Sequence, residues 1–243
     1  MKTSHQSDIA IKLQNISKKY EIHHEKPTLV EKFVKARNET FWALKNINLT
    51  IKKGDKIGIL GPNGSGKTTL LKIITGISTP TTGQVSVYGK IISLIDLEAG
   101  FHEDLTGEQN IFLNGMLLGM NKKIIQQKVP NIIAYADLKQ FIDAPLLTYS
   151  TGMKLRLGFA IVINSDPDIL VLDEGLQVGD ESFRRKSDRS IIALLKKNKT
   201  LVTVTHNFNT IRNHCNRVLI LDKGAIAAEG DANLVKYYKK NYI

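Results

Sequence analysis

The sequence predicts an α/β protein built on a parallel β-sheet with helices packed against it. Two observations carry this expectation. Short apolar runs recur at "KIGILG", "DILVLDE", "TLVTVTH" and "RVLILDKG", and segments with helical spacing fall between them. The first run leads straight into a glycine-rich turn and a helix, "GPNGSGKTTLLKIITG".

Taken in order, "DIAIKLQNIS" and "NINLTI" alternate apolar and polar residues, as half-buried strands do. "KIGILG" is a strand, with a helix from about Gly66 to Thr75. "GQVSVYGKIISLI" reads as two hairpin strands joined at Tyr88-Gly89. Residues 107–164 are mostly helical in pattern, with a break near Pro130. Strands return at "DILVLDE", "TLVTVTH" and "RVLILDKG", with helices at "ESFRRKSDRSIIALLKKN" and "NFNTIRNHC". The tail "DANLVKYYKKNYI" is expected to be a short helix.

Composition narrows the class. Of 243 residues, 42% are hydrophobic and 23% charged, which suits a core-forming chain. No apolar run approaches the roughly 18 residues that a membrane span needs. "MKTSHQSDIA" lacks the apolar stretch of a signal peptide. One cysteine, Cys215, makes no internal disulfide, which fits a reducing cytosol. The net charge of +11 is spread along the chain, with modest clusters at "KKYEIHHEK", "FRRKSDR", "LLKKNK" and "YYKKN". Nucleic acid, an anionic membrane surface and a solvated lysine-rich surface all fit that charge.

The chemistry begins at Gly61. Gly61, Gly66, Lys67 and Thr68 complete G-x-x-x-x-G-K-[ST]. The glycines let backbone N–H groups approach phosphates, Lys67 reaches the β- and γ-phosphates, and the Thr68 hydroxyl holds Mg²⁺. "ILVLDE" then places Asp173 and Glu174 at a strand's carboxyl end, where open parallel sheets bind ligands. Asp173 is the expected second metal ligand, and Glu174 the group that activates water. His206 ends the next strand and is suited to donate to the γ-phosphate or to position that water. Taken alone, a strand-end histidine is an ordinary structural residue.

The order of P-loop, helical insert, "STG" turn, "ILVLDE" and strand-end histidine resembles the nucleotide-binding subunit of an ABC (ATP-binding cassette) protein, over essentially the whole chain. The resemblance implies a P-loop NTPase (RecA-like) core with an antiparallel β subdomain and an α-helical subdomain. It implies one domain over 1–243, with the core at about 1–95 and 165–230, the helical part at about 96–164 and a C-terminal helix at about 231–243. In that family the P-loop of one subunit faces the signature turn of a second, with ATP between them. The usual Leu-Ser-Gly-Gly-Gln is here Tyr149-Ser150-Thr151-Gly152-Met153. Ser150 alone is also a plain helix N-cap. Asp180 matches the aspartate that bridges two subunits, and it too reads as a helix cap. Tyr20 matches the aromatic residue that stacks on adenine. The implied nucleotide contacts are thus Tyr20, Gly61, Pro62, Asn63, Gly64, Ser65, Gly66, Lys67, Thr68, Thr69, Ser150, Thr151, Gly152 and Asp180.

The departures resemble one subfamily. "TYSTGMKLRLGFA", "DLEAGFHEDLTGEQNIFLNG" and "DEGLQVGDESFRRK" are similar to ATPases that export lipid-linked O-antigen, capsule or teichoic-acid-type glycans. That implies a homodimer with ATP and Mg²⁺, two membrane permease subunits, and a peripheral place on the cytoplasmic face of the bacterial inner membrane. No nucleic acid is expected as a partner. The other reading is a soluble ABC ATPase acting on nucleic acid or ribosomes, supported only by the charge. The family's metal-binding glutamine is missing from "SLIDLEAGF"; Asp96 or Glu98 replaces it, and Gln109 lies too far along. Some relatives add a C-terminal carbohydrate-binding domain, which is not expected in a chain ending at Ile243. Residues 21–42 exceed what a cassette needs, and Leu29, Val30, Phe33 and Val34 share one helical face there. The His23-His24 pair in that segment has no companion set at metal-ligand spacing.

Overall fold

Two asparagines shape the first strands, β1 (Ile9–Ile22) and β2 (Glu39–Lys52). Asn15 and Asn46 take the left-handed conformation, with φ of 52° and 50°, which asparagine tolerates better than most residues. Each breaks the alternation of its strand. The Asn15 N–H donates to Asn48 Oδ1 at 2.9 Å, and the Asn46 N–H donates to Ser17 Oγ at 3.0 Å. These side chains satisfy N–H groups that the ladder releases. The strands also run further than alternation predicted: residues 18–22 extend β1 and residues 39–45 extend β2.

The computed structural model describes residues 8–22, 39–95, 97–173, 180–205 and 207–242. They fall into two units, one from segments 1–51, 57–87 and 205–243, the other from 52–56 and 88–204. The proposed helical face at Leu29–Val34 and the His23-His24 pair lie outside the described residues.

In the first unit, β1 lies between β2 and β4 (Thr82–Val87), and it pairs antiparallel with β4. Strand β3 (Lys56–Leu60) pairs in parallel with β8 (Arg217–Asp222), and β8 turns back into β9 (Ala225–Gly230). Strand β9 escaped the sequence reading, since "AIAAEG" has only weak apolar alternation. Helix α1 (Lys67–Ile74) follows β3, and α6 (Phe208–His214) and α7 (Leu234–Tyr242) complete the unit. Leu60, Ile211, Cys215, Val218, Ile220, Val235 and Tyr238 share one core. Cys215 is buried in it and forms no disulfide among the described residues.

In the second unit, β5 (Ile91–Ser93), β6 (Ile169–Leu172) and β7 (Thr200–Val204) pair in parallel. The hairpin expected at Tyr88-Gly89 is therefore not formed, because β4 pairs with β1 while β5 pairs with β6. Chain direction turns at Gly89, φ 122°, where the Lys90 N–H donates to Asp168 Oδ2 at 2.8 Å. Helices α2 (Gly107–Leu117), α3 (Lys122–Ala136), α4 (Thr151–Asn164) and α5 (Glu181–Leu195) belong to this unit. The expected break at Pro130 is absent, and α3 runs through it. Pro130 and Gln126, one turn earlier, are both exposed. The carbonyl that loses its partner lies on the wet side, while Ile125, Ile132 and Ala136 hold the other side in the core.

Candidate functional site

The turn after β3 is a cradle for anions by backbone chemistry. Gly61, Gly64 and Gly66 have φ of 156°, 76° and 103°, values that side-chain-bearing residues rarely adopt. Gly66 caps α1 without a side-chain bond, and no acidic residue occupies the first turn. The positive end of α1 thus faces the loop with no acidic side chain against it. Lys67 Nζ donates to the carbonyls of Gly61 and Pro62 at 2.7 and 2.9 Å, which holds its ammonium inside the loop. Asn63, Gly64 and Thr68 are exposed and Thr69 is half-buried. A Cβ on Gly64 would meet nothing within 4 Å. Among the described residues, Ser65 Oγ is a buried hydroxyl with no hydrogen-bond partner. This donor set fits a chain of phosphates.

Backbone from distant segments braces the loop, and the sequence reading missed those residues. The Gly224 N–H donates to the Ser65 carbonyl at 3.1 Å, and the Lys45 N–H donates to the Gly224 carbonyl at 2.8 Å. A Cβ on Gly61 would sit 2.2 Å from the Leu221 carbonyl oxygen, and one on Gly66 would sit 2.4 Å from that of Ala43. The available signal was "DKG", a hairpin turn with φ of 46° at Lys223 and 82° at Gly224. Tyr20 lies in the same unit near the end of β1, exposed, with Lys18 Nζ 5.1 Å from its ring centroid.

In the second unit, Asp173 directly follows β6 and is half-buried. Its carboxylate and the Thr68 hydroxyl are oxygen donors of the kind a magnesium ion takes. Glu174, His206 and Asp96 lie outside the described residues. Glu98 lies in the turn after β5, where its carbonyl accepts the Phe101 N–H at 3.0 Å. Gln109 has a local role in a capping box: its Oε1 accepts the Thr106 N–H at 2.9 Å, and Thr106 Oγ1 accepts its own N–H at 3.2 Å.

The turn before α4 is built from its tyrosine outward. Tyr149 is 6% exposed, and its hydroxyl donates to the Phe141 carbonyl at 2.6 Å. Burial pushes its phenol pKa up. The ring fits because residue 107 is glycine: a Cβ there would lie 2.3 Å from the Tyr149 oxygen. The Leu146 and Leu147 N–H groups donate to the carbonyls of Leu105 and Glu103, each at 2.9 Å. Lys154 pairs with the Glu103 carboxylate at 2.7 Å, and that bond holds the Glu103 pKa down. On this base Ser150 caps α4, its Oγ accepting the Met153 N–H at 3.2 Å. Ser150 and Thr151 are exposed, and a Cβ on Gly152 would find only Ser150 Oγ, 4.0 Å away. The helix end is thus open to close approach.

Asp180 caps α5 in the same way. Its Oδ1 accepts the Phe183 N–H at 2.8 Å and the Ser182 hydroxyl at 2.9 Å. These bonds, the Phe183 one foremost, hold its pKa below the usual carboxylate value.

Comparison with known proteins gives a consistent picture. The family pattern described as "ABC transporter" matches residues 44–177. The chain is 48% identical over 188 residues to the O-antigen export system ATP-binding protein RfbB of Myxococcus xanthus, covering 77% of this chain and 43% of that protein. It is 35% identical over 241 residues to RfbB of Klebsiella pneumoniae, covering 95% and 97%. It is 38% identical over 234 residues to the teichoic acids export ATP-binding protein TagH of Lactiplantibacillus plantarum, covering 95% and 64%. The chain therefore spans less than half of one relative and nearly all of another. Among solved structures, the dimeric post-hydrolysis cassette MJ0796 bound to ADP and Pi is similar at a TM-score of 0.69 and 26% identity, covering 91% of this chain and 98% of that one. A structure titled as the ATP-binding subunit of an ABC transporter is similar in fold at a TM-score of 0.73 and 18% identity, covering 95% and 93%.

Proposed function

The chain belongs to the ABC transporter family, and on that premise we propose that it is the ATP-binding and ATP-hydrolysing subunit of an exporter of lipid-linked polysaccharide. The observation that carries this reading is the match along 97% of a Klebsiella pneumoniae O-antigen export protein, together with similarity to teichoic acid export proteins. The protein works as a homodimer on two membrane permease subunits, at the cytoplasmic face of the inner membrane. Among the described residues no helix is long and apolar enough to cross a membrane, so the permeases supply the path.

The mechanism follows from the donor set. Backbone N–H groups of the glycine-rich loop and the start of α1, with the Lys67 ammonium, bind the phosphates and spread their charge. Tyr20 stacks on the base, contributing about 1–3 kcal/mol. Thr68 and Asp173 would hold Mg²⁺, which would supply charge neutralisation for the phosphates. Glu174 takes a proton from the attacking water, and His206 orients the γ-phosphate. Ser150, Thr151 and Gly152 present the start of α4 to the ATP of the second subunit, and Asp180 joins the two subunits.

One experiment tests the whole reading. The protein is purified from membranes and its co-purifying partners and lipids are identified, with binding to DNA and RNA measured in parallel. A polytopic permease and a lipid-linked glycan are expected. Nucleic acid in place of a permease would overturn the export reading and favour the soluble ATPase.

A further inference from the structure

Two capped helix starts face solvent in the second unit, Ser150 on α4 and Asp180 on α5. Behind them three rings from three helices meet. Tyr135 of α3 stacks on Phe159 of α4, with centroids 6.1 Å apart and planes at 27°. Phe183 of α5 stands edge-on to both, at 5.8 Å from Tyr135 and 5.9 Å from Phe159. Phe183 is also the residue whose N–H the Asp180 carboxylate holds. The Asp180 cap is therefore bonded to a residue whose side chain is gripped by α3 and α4.

A polar clasp closes this cluster on its outer edge. Lys186 Nζ donates to the Tyr135 carbonyl at 2.9 Å and lies 4.3 Å from the Tyr135 ring centroid. In return the Tyr135 hydroxyl donates to the Lys186 carbonyl at 3.3 Å and shares a hydrogen bond with Ser190 Oγ at 2.7 Å. Helices α3 and α5 thus hold each other through bonds in both directions. Helix α3 is in turn packed to α4 through Ile125, Ile132, Leu157 and Ile161. The three helices form one block that carries both Ser150 and Asp180.

We propose that Tyr135 and Lys186 are positioning residues that fix the spacing between Ser150 and Asp180, so that both meet the second subunit in register. This rests on the two-subunit ATP reading above. Apolar packing alone lets helices slide, whereas directed bonds between α3 and α5 select one setting. A misplacement of about 1 Å is enough to cost on the order of 100-fold in rate.

The test uses the full chain with Tyr135→Phe, Lys186→Met and the double variant. Each should bind ATP as monomer with affinity within about twofold of wild type, since the phosphate loop is untouched. ATP-driven dimerisation and kcat should each fall by about tenfold, and the double variant should fall further than either, because each substitution removes a bond to the other residue's backbone that the other leaves in place. Ile132→Val is the control: it loosens the same block without touching the clasp. It should lower the Tm comparably and leave dimerisation and kcat unchanged. Clasp variants that dimerise and turn over like wild type overturn the proposal, as does an Ile132→Val protein that loses as much. A wild-type protein that hydrolyses ATP as a monomer overturns the two-subunit reading itself, and the proposal falls with it.

Discussion

The Gly224 backbone N–H donates to the Ser65 carbonyl at 3.1 Å, so the turn between β8 and β9 braces the phosphate loop from behind. Gly224 has φ of 82°, and a Cβ there would sit 2.8 Å from the Ala43 carbonyl oxygen. Gly224→Ala should therefore destabilise the protein by about 1–3 kcal/mol, from left-handed strain and crowding together. It should also weaken nucleotide binding, although residue 224 carries no ligand group. Urea melts and a fluorescent-nucleotide titration check this. Unchanged affinity would show that the loop holds its shape without the brace.

Gly107 and Tyr149 form a matched pair. Gly107→Ala should cost about 1–3 kcal/mol, because the new methyl meets the Tyr149 oxygen. Tyr149→Phe should cost about 1 kcal/mol, by removing the bond to the Phe141 carbonyl. In combination the loss should be smaller than the sum, since phenylalanine vacates the space that alanine needs. Relief is partial, because Ile142 also lies within 3.1 Å of that methyl. Denaturation of the four proteins in a double-mutant cycle provides the measurement, and strict additivity would refute the pairing.

Glu174→Gln should keep ATP binding and lose about 10²–10⁴-fold in turnover, the usual effect of removing a general base. It should also accumulate an ATP-bound dimer on size exclusion. Lys67→Ala should fail earlier, at nucleotide binding, because it removes a charge and two bonds that shape the loop. Near-normal hydrolysis by the Glu174 variant would assign the base elsewhere.

Ser150→Arg should lose about 1 kcal/mol of stability with its cap and still fold. Hydrolysis should stop, because a long side chain then occupies the approach to α4. Mixing this variant with Lys67→Ala should recover activity, since one of the two sites then draws only on intact parts. No recovery in the mixture would argue against sites shared between subunits.

The Asp180 pKa is lowered in the folded state, chiefly by the Phe183 N–H. Its contribution is therefore present above the unfolded carboxylate pKa and is lost as pH falls through the lower, folded value. Asp180→Asn keeps a cap that does not titrate. Its Tm should fall less steeply than that of wild type as pH drops through the acid range. Parallel acid limbs in thermal melts of the two proteins would remove Asp180 from the acid response.

What the sequence determined by itself was chemistry carried by neighbouring residues. The glycines, Lys67 and Thr68 stand within one turn, and their roles follow from backbone geometry that nearby residues dictate. Ser150 and Asp180 were legible as caps for the same reason, since each bonds an N–H three residues on. Tertiary structure alone decided what depends on partners far along the chain. It carried α3 through Pro130 because one face of that helix is buried and the other wet. It sent β4 and β5 to different partners where local pattern suggested a hairpin. It set Gly224 behind Ser65, Gly107 against Tyr149 and Lys186 over Tyr135, pairs separated by 42 residues or more. Such contacts arise when sheets and helices close around a core, and a residue's own neighbours carry no sign of them.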